Sequence, residues 1–376
     1  MSASQNDNGR AFEYGLAQSL SKLLPAPIID SVPLKTARRC FDAQSRAEQR
    51  HIVAAADEAV RFLAAYDNRL AATGCQVILQ SDQAGQHGDV RDIIVQNLRL
   101  KEEVGISAKN RHVAVKHSRL SATINFGADW LDVPCTDDYF VAIRPIFSDL
   151  LARQKSGQRW AEIPDKWQRY YLPVLEAFRA ELTRLVALRP NDVPASLVKY
   201  LLGRYDFYKI IKVNGTVSVT SYNIYGTLRW GKRLRMPTEI VRVSPKPGSA
   251  TTLLIVFDQG WSFSFRIHNA SSRVEPSLKF DITLVGSPTG LSTNQITYRG
   301  KNVVYVDGPG EAEDGEAGAG GSLGRSPWEE GGYLRCERCT HVERSHSELD
   351  PDEPDAVNCH EPGCSCDGFV PPFNLT

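Results

Sequence analysis

The chain has 376 residues, 42% hydrophobic and 23% charged, the profile of a soluble globular protein. No stretch approaches the roughly eighteen consecutive apolar residues of a membrane span, and the polar start MSASQNDNGR lacks the apolar run of a secretory signal, so a cytoplasmic location is expected. The net charge of zero hides an asymmetry: residues 1–310 carry 40 basic and 29 acidic side chains, and residues 311–376 carry 4 and 15.

In chain order, Gly9 to Leu24 sets Phe12, Leu16, Leu20 and Leu23 on one face at helical spacing, and Ala37 to Leu70 continues with one or two helices. QVILQSD (76–82) reads as a short strand. GDVRDIIVQNLRL (88–100) and EEVGISAK (102–109) read as two more, joined as a hairpin near Asn97 to Lys101. Residues 110–121 read as a connection with some helical character. Residues 137–185 return to helical periodicity, punctuated by Pro164 and Pro173, and 194–211 reads as a helix ending near Gly203 or running into a strand. From Lys212 onward β-branched and aromatic residues dominate, with a turn at Asp258-Gln259-Gly260. A mixed α/β part (1–211) is thus followed by a β-rich part (212–306), and no internal repeat is visible. GPGEAEDGEAGAGGSLG cannot bury a core and reads as a flexible linker over 307–330, ahead of a small unit at 331–376.

The strands near residue 100 carry the chemistry. Glu103, Gly105, Ser107 and Lys109 alternate onto one strand face, while Val104, Ile106 and Ala108 take the other. Asp89 and Asp92 stand at the mouth of the neighbouring strand. Carboxylates beside a lysine suit Mg2+-dependent phosphodiester hydrolysis: Mg2+ takes hard oxygen ligands, and a cation near the attacking water offsets charge growing on the phosphate. The cluster resembles the PD-(D/E)XK nuclease motif, with one departure. Ser107 stands two residues before the lysine, where Glu or Asp is normal, so the second ligand is expected from Glu103 or from Glu13 on the first helix.

GRAFEYG (9–15), GDVRDIIV (88–95), GISAKNRHVAVKHSRLS (105–121), NFGADW (125–130), LLGRYDFYK (201–209) and GWSFSFRIHNASSRVEPSLKFD (260–281) together resemble the HaeIII family of restriction endonucleases. The resemblance spans about residues 9–290, in order. It implies a PD-(D/E)XK-like core in a mixed α/β body, and cleavage of double-stranded DNA at a short palindrome, GGCC or a close relative, with blunt ends. It also implies a DNA methyltransferase as functional partner; a palindromic target further suggests a homodimer. Asp92 would be the main metal ligand, assisted by Glu103, Glu13 or both, with Asp89 as the alternative first ligand. Lys109 would orient the water and stabilise developing charge.

Lys116, His117, Ser118 and Arg119 form a dense donor run suited to phosphate contacts. His112 and His117 are not needed as metal ligands or general bases. Base reading is expected in the β-rich part, from Arg266 and His268, Asn269, Arg273 and Lys279, since arginine reads guanine O6 and N7. Trp261, Phe263 and Phe265 share the opposite face and read as a core stripe. Arg229, Lys232, Arg233 and Arg235 form a second, phosphate-directed run. The excess of positive charge in residues 1–310 fits such a partner, although charge alone fits an ordinary basic protein equally well.

The tail adds CERCTHVERSHSELDPDEPDAVNCHEPGCSCDGF (336–369). Clustered thiols without a secretory signal read as metal ligands. Cys336 and Cys339 form one knuckle of a structural Zn2+ site; the other two ligands come from His346, Cys359, Cys364 and Cys366, with His341 and His360 as further options. So short a unit would draw its folding free energy from the metal. Its acidity argues against DNA contact. A non-cleaving DNA-binding protein and a zinc-dependent interaction protein are the competing readings.

Overall fold

The structure, a computed structural model, describes residues 5–81, 88–111 and 114–298. Three helices come first: α1 (Gln5–Leu23), α2 (Val32–Asp42) and α3 (Arg46–Tyr66). Ser31 and Ser45 start the latter two, their hydroxyls accepting from Leu34 N at 3.3 Å and Glu48 N at 3.2 Å. Phe12, Leu16 and Leu20 are fully buried, as the spacing requires. Next come β1 (Cys75–Leu79), β2 (Ile93–Asn97), β3 (Glu102–Asn110) and β4 (Lys116–Ser121). A second helical group follows: α4 (Phe126–Leu131), α5 (Asp137–Lys155), α6 (Leu172–Leu188) and α7 (Val193–Leu202). Seven strands complete the described chain: β5 (Phe207–Val213), β6 (Thr216–Tyr222), β7 (Ile240–Pro245), β8 (Thr252–Phe257), β9 (Ser262–His268), β10 (Ser277–Leu284) and β11 (Ser292–Thr297).

The strands form two sheets. The first runs β1-β2-β3-β5-β6-β11 and is antiparallel except for the parallel pair β3/β5. Helices α1 and α3 cover one face of it, burying Phe12, Ile52, Val60 and Leu63 with Ile93, Ile106, Tyr208 and Ile210. The second runs β4-β10-β9-β8-β7, antiparallel throughout. Its inner face packs on the second helical group. Phe178 of α6 lies 5.0 Å from the Phe280 ring and 5.9 Å from Phe265. A buried Phe contributes about 1.5–3 kcal/mol from removal of its surface from water. Trp261, Phe263 and Phe265 are all fully buried here, so the aromatic stripe is core.

Two arrangements differ from the expectation. Residues 116–121 form strand β4, not a partly helical connection, because KHSRLS finds its partner in β10, with His117 opposite Asp281 and Arg119 opposite Lys279. The parts before and after residue 211 also interleave: β5, β6 and β11 extend the first sheet, and β4 joins the second. Hydrophobic pattern fixes which face of a strand is buried, not which strand lies beside it. No helix among the described residues is long and apolar enough to cross a membrane.

LLGRYDFYK ties several elements together. Gly203 adopts φ +87, and a Cβ there would lie 2.6 Å from Gly88 O. The Asp206 carboxylate accepts from Tyr225 N, Thr227 N and Thr227 Oγ1, each at 2.8 Å. Tyr208 Oη donates to the buried Asp67 at 2.9 Å.

Candidate active site

Asp92 sits one residue before β2, held by its main chain on both sides. Its N–H donates to Ile106 O at 2.8 Å and its C=O accepts from Gln80 N at 2.9 Å. This places its side chain opposite Ser107, since Ile93 pairs with Ile106. Asp92 Oδ2 then accepts from Ser107 Oγ at 3.0 Å, Ala108 N at 2.7 Å and Lys109 Nζ at 3.2 Å. All three bonds fall on one oxygen. Burial pulls the Lys109 pKa down, but the Asp92 charge and bond, with a contribution from Glu13, outweigh it and hold the pKa above the ordinary lysine value.

Glu13 reaches the same place from α1, next to the residues that bury Phe12 and Leu16. Asn110 Nδ2 donates to Asn8 O at 3.2 Å, which joins the start of α1 to the end of β3. Glu13 is itself buried, and Arg10 Nη1 donates to it at 3.0 Å. Burial first, then the Asp92 charge, push its pKa up to about 8, against the pull of Arg10 and Lys109. A cation bound beside Asp92 would draw the proton off Glu13, and the two would then form a hard oxygen donor pair. Mg2+ keeps several waters, so such a pair suits it. Among the described residues no group of three or more His, Cys, Asp or Glu is placed to hold a metal.

Glu103 and Asp89 are both engaged by Arg91. Glu103 pairs with Gln96, four residues along β3 from Ser107, which at about 3.3 Å per residue is about 13 Å. Arg91 Nη1 donates to it at 2.6 Å. Arg91 also grips Asp89 through Nε and Nη2, both at 2.8 Å, and Gln80 Nε2 adds a bond to Asp89 at 2.9 Å. Burial would raise the Asp89 pKa, but these bonds hold it below the ordinary carboxylate value.

Residue type and spacing do not single out Lys209 of LLGRYDFYK. It lies on β5 opposite Ser107, is buried, and donates to Ala114 O at 3.1 Å. Burial, then the Lys109 charge, push its pKa down to about 7, while Asp92 pulls the other way. A lysine inside the apolar strand FYKIIKV was the available signal.

Strand alternation divides the Lys116–Arg119 run. Lys116 and Ser118 turn inward to Tyr200: Lys116 Nζ donates to Tyr200 O at 2.8 Å and lies 4.0 Å from its ring, and Ser118 Oγ is 2.9 Å from Tyr200 Oη. Burial pushes the Lys116 pKa down to about 8. His117 and Arg119 turn outward, beside Arg266 and His268 of β9 and Lys279 of β10. Asp281 lies at the centre of this face. Its oxygens lie 2.5 Å from His117 Nδ1, 2.9 Å from His268 Nε2, 3.5 Å from Arg266 and 3.8 Å from Lys279. Burial raises the Asp281 pKa, but the two imidazoles outweigh this and hold it far below the ordinary value. Asn269 accepts from Tyr171 Oη at 2.9 Å and donates to Ser271 O at 2.7 Å. Arg273, Arg229, Lys232, Arg233 and Arg235 are exposed. His112, the expected linker and the expected zinc ligands Cys336, Cys339, His346, Cys359, Cys364 and Cys366 lie outside the described residues.

The model of the HaeIII restriction endonuclease family matches residues 9–288. The Type II restriction enzyme HaeIII of Haemophilus aegyptius is 35% identical over 307 residues, covering 77% of this chain and 96% of that enzyme. No solved structure matches. The matched span includes Glu13, Asp92 and Lys109 and every strand but β11, and on it the chain belongs to the HaeIII family of Type II restriction endonucleases, enzymes that cut DNA at a specific sequence.

Proposed function

We propose that the chain cuts both strands of DNA at GGCC or a close relative, leaving blunt ends, with Asp92 and Glu13 as the carboxylates that hold Mg2+ in a PD-(D/E)XK-like core. The observation that carries this is the convergence of Ser107, Ala108 and Lys109 on Asp92 Oδ2, with Glu13 close enough to feel the Asp92 charge. Mg2+ bound there would supply charge neutralisation at the scissile phosphate and a more acidic water. Ser107 and the Ala108 N–H fix the Asp92 carboxylate, leaving Oδ1 clear of all three bonds. Lys109 keeps its proton beside two carboxylates, orients the attacking water and offsets negative charge in the transition state. Glu103 and Asp89 support the site through Arg91 rather than as ligands.

The outward face of β4, β10 and β9 is the DNA-reading surface in this proposal: Arg266, His268 and Lys279 toward bases, His117 and Arg119 toward phosphates. Arg273 and the basic run 229–235 add phosphate contacts, whereas Lys116, Ser118 and Asn269 shape the surface from beneath. A methyltransferase that protects the host's sites and a two-fold dimer on the palindrome complete the reading, with Zn2+ in the tail as a structural ion. Incubating purified protein with plasmid DNA in Mg2+ and in EDTA, then sequencing the cut ends, tests it. Blunt cuts within GGCC in Mg2+ alone support it. DNA retained without cleavage would leave a binding protein, and binding of neither DNA nor Mg2+ would leave a zinc-dependent interaction protein.

A further inference from the structure

The residue just before Asp92 is a buried arginine that no cleavage step uses. Arg91 leaves the main chain at the entry to β2 and lies across β3. There it grips Asp89 with two parallel bonds of 2.8 Å and reaches Glu103 Oε1 at 2.6 Å. Its guanidinium carbon lies 3.8 Å from the centre of the Tyr205 ring, in the loop that leads into β5. The path over β3 exists because residue 105 is glycine. A Cβ at Gly105 would lie 2.1 Å from Arg91 Cδ and 2.8 Å from its Cγ. The main chain here is tied from the other side too, since Gln80 Nε2 donates to Arg91 O at 3.0 Å.

We propose that Arg91 is a positioning residue for cleavage: by bridging Asp89 to Glu103 across Gly105, it fixes the chain entering Asp92 so that this carboxylate meets Ser107, Ala108 and Lys109. The bridge draws on three separate segments, and a planar five-donor guanidinium suits it where a lysine does not. Arg91 also engages Asp89, three residues before Asp92, in a bidentate pair. In the proposed site Asp92 and Glu13 are then the two carboxylates that share a cation. The bridge therefore aligns one metal-holding acid and keeps Asp89, its near neighbour, from competing for the ion. The inference rests on the proposed role of Asp92, and its test is chosen to separate the two.

The full-length protein is compared with Arg91→Met, Arg91→Lys, Glu103→Gln and Asp92→Asn. For each we would measure the Mg2+ concentration giving half-maximal single-turnover cleavage, the rate at saturating Mg2+, Mn2+ binding by electron paramagnetic resonance, and metal-free DNA affinity. Arg91→Met is expected to need at least tenfold more Mg2+ and to bind Mn2+ correspondingly more weakly, with metal-free DNA affinity within about twofold. Arg91→Lys should fall close to Arg91→Met. Glu103→Gln should show the same direction at a few-fold, because one arm of the bridge remains and no metal ligand is lost. Should Arg91→Met fail to fold, Arg91→Lys and Glu103→Gln carry the test. Unchanged Mg2+ dependence in both would overturn the proposal, as would a Glu103→Gln variant as dead and as metal-free as Asp92→Asn, which would make Glu103 a ligand. Normal cleavage by Asp92→Asn would instead overturn the reading of the site itself.

Discussion

Ser107 donates its hydroxyl to Asp92 at 3.0 Å from the position where a second carboxylate would be expected. The hydroxyl supports the first carboxylate instead of adding another, and in the site we propose the second acid is Glu13 on α1. Removing a neutral hydrogen bond costs about 0.5–1.5 kcal/mol, so Ser107→Ala should slow cleavage by roughly tenfold or less. Glu13→Gln should slow it by at least about 10²-fold, the scale for losing one group of a charge-stabilising site. Single-turnover rates at saturating Mg2+ check both. A Glu13→Gln enzyme as fast as the native one would remove Glu13 from the site.

Lys109→Ala should abolish cleavage, by at least about 10²-fold, while sequence-specific DNA binding in Ca2+ stays largely intact. Its ammonium lies 3.2 Å from Asp92 and has no place in the outward face that we assign to DNA reading. Gel-shift and cleavage assays on one preparation separate the two effects. Loss of specific binding together with cleavage would count against the assignment.

Asp92→Ala should be more damaging than Asp89→Ala. Asp92 receives three bonds from the β3 tripeptide, whereas Asp89 is engaged by Arg91 and Gln80. If Asp89→Ala alone kills the enzyme, the register of the site is wrong.

Asp281→Asn should destabilise the protein at neutral pH, and the difference should shrink in acid. The folded Asp281 pKa is depressed by His117 and His268 against the effect of burial. Its stabilisation is therefore present above the unfolded carboxylate value of about 3.9 and is lost progressively as pH falls below it toward the folded value. Urea denaturation of both proteins at pH 5 and pH 3, both below the ordinary histidine value of about 6.5, measures this. A gap that widens from pH 5 to pH 3 would contradict the ion-pair origin.

Ending the chain after Val306 should leave a Mg2+-dependent nuclease that no longer binds zinc. The family match ends at residue 288, and all the clustered cysteines lie beyond 306. The cut also removes an acidic segment, with 15 acidic against 4 basic residues from 311 onward, so non-specific DNA binding should tighten at low salt. Screening shortens the reach of surface charge to about 8 Å at physiological ionic strength, so the gain should fade there. Zinc content, cleavage and DNA affinity at two salt concentrations test each part; one zinc per truncated chain would place the metal in the body.

The sequence alone determined the elements whose period is local. Phe12, Leu16 and Leu20 recur at helical spacing, the Glu103–Lys109 strand alternates an apolar and a polar face, and Trp261, Phe263 and Phe265 mark a core stripe. It also held the motifs that carry the family, because these are runs of consecutive residues. Tertiary structure alone decided the partners. Glu103 shares a strand face with Lys109, yet the register across β2 sets it opposite Gln96 and gives it to Arg91, while Glu13, about eighty residues upstream of Asp92, takes the place beside it. Lys116 and Ser118 separate from His117 and Arg119 only because β10 turns that run into a strand. Lys209 joins the site only because β5 pairs in parallel with β3. A local period states which way a side chain faces, but which charge it meets depends on strands paired from distant parts of the chain, and no spacing within one segment encodes that.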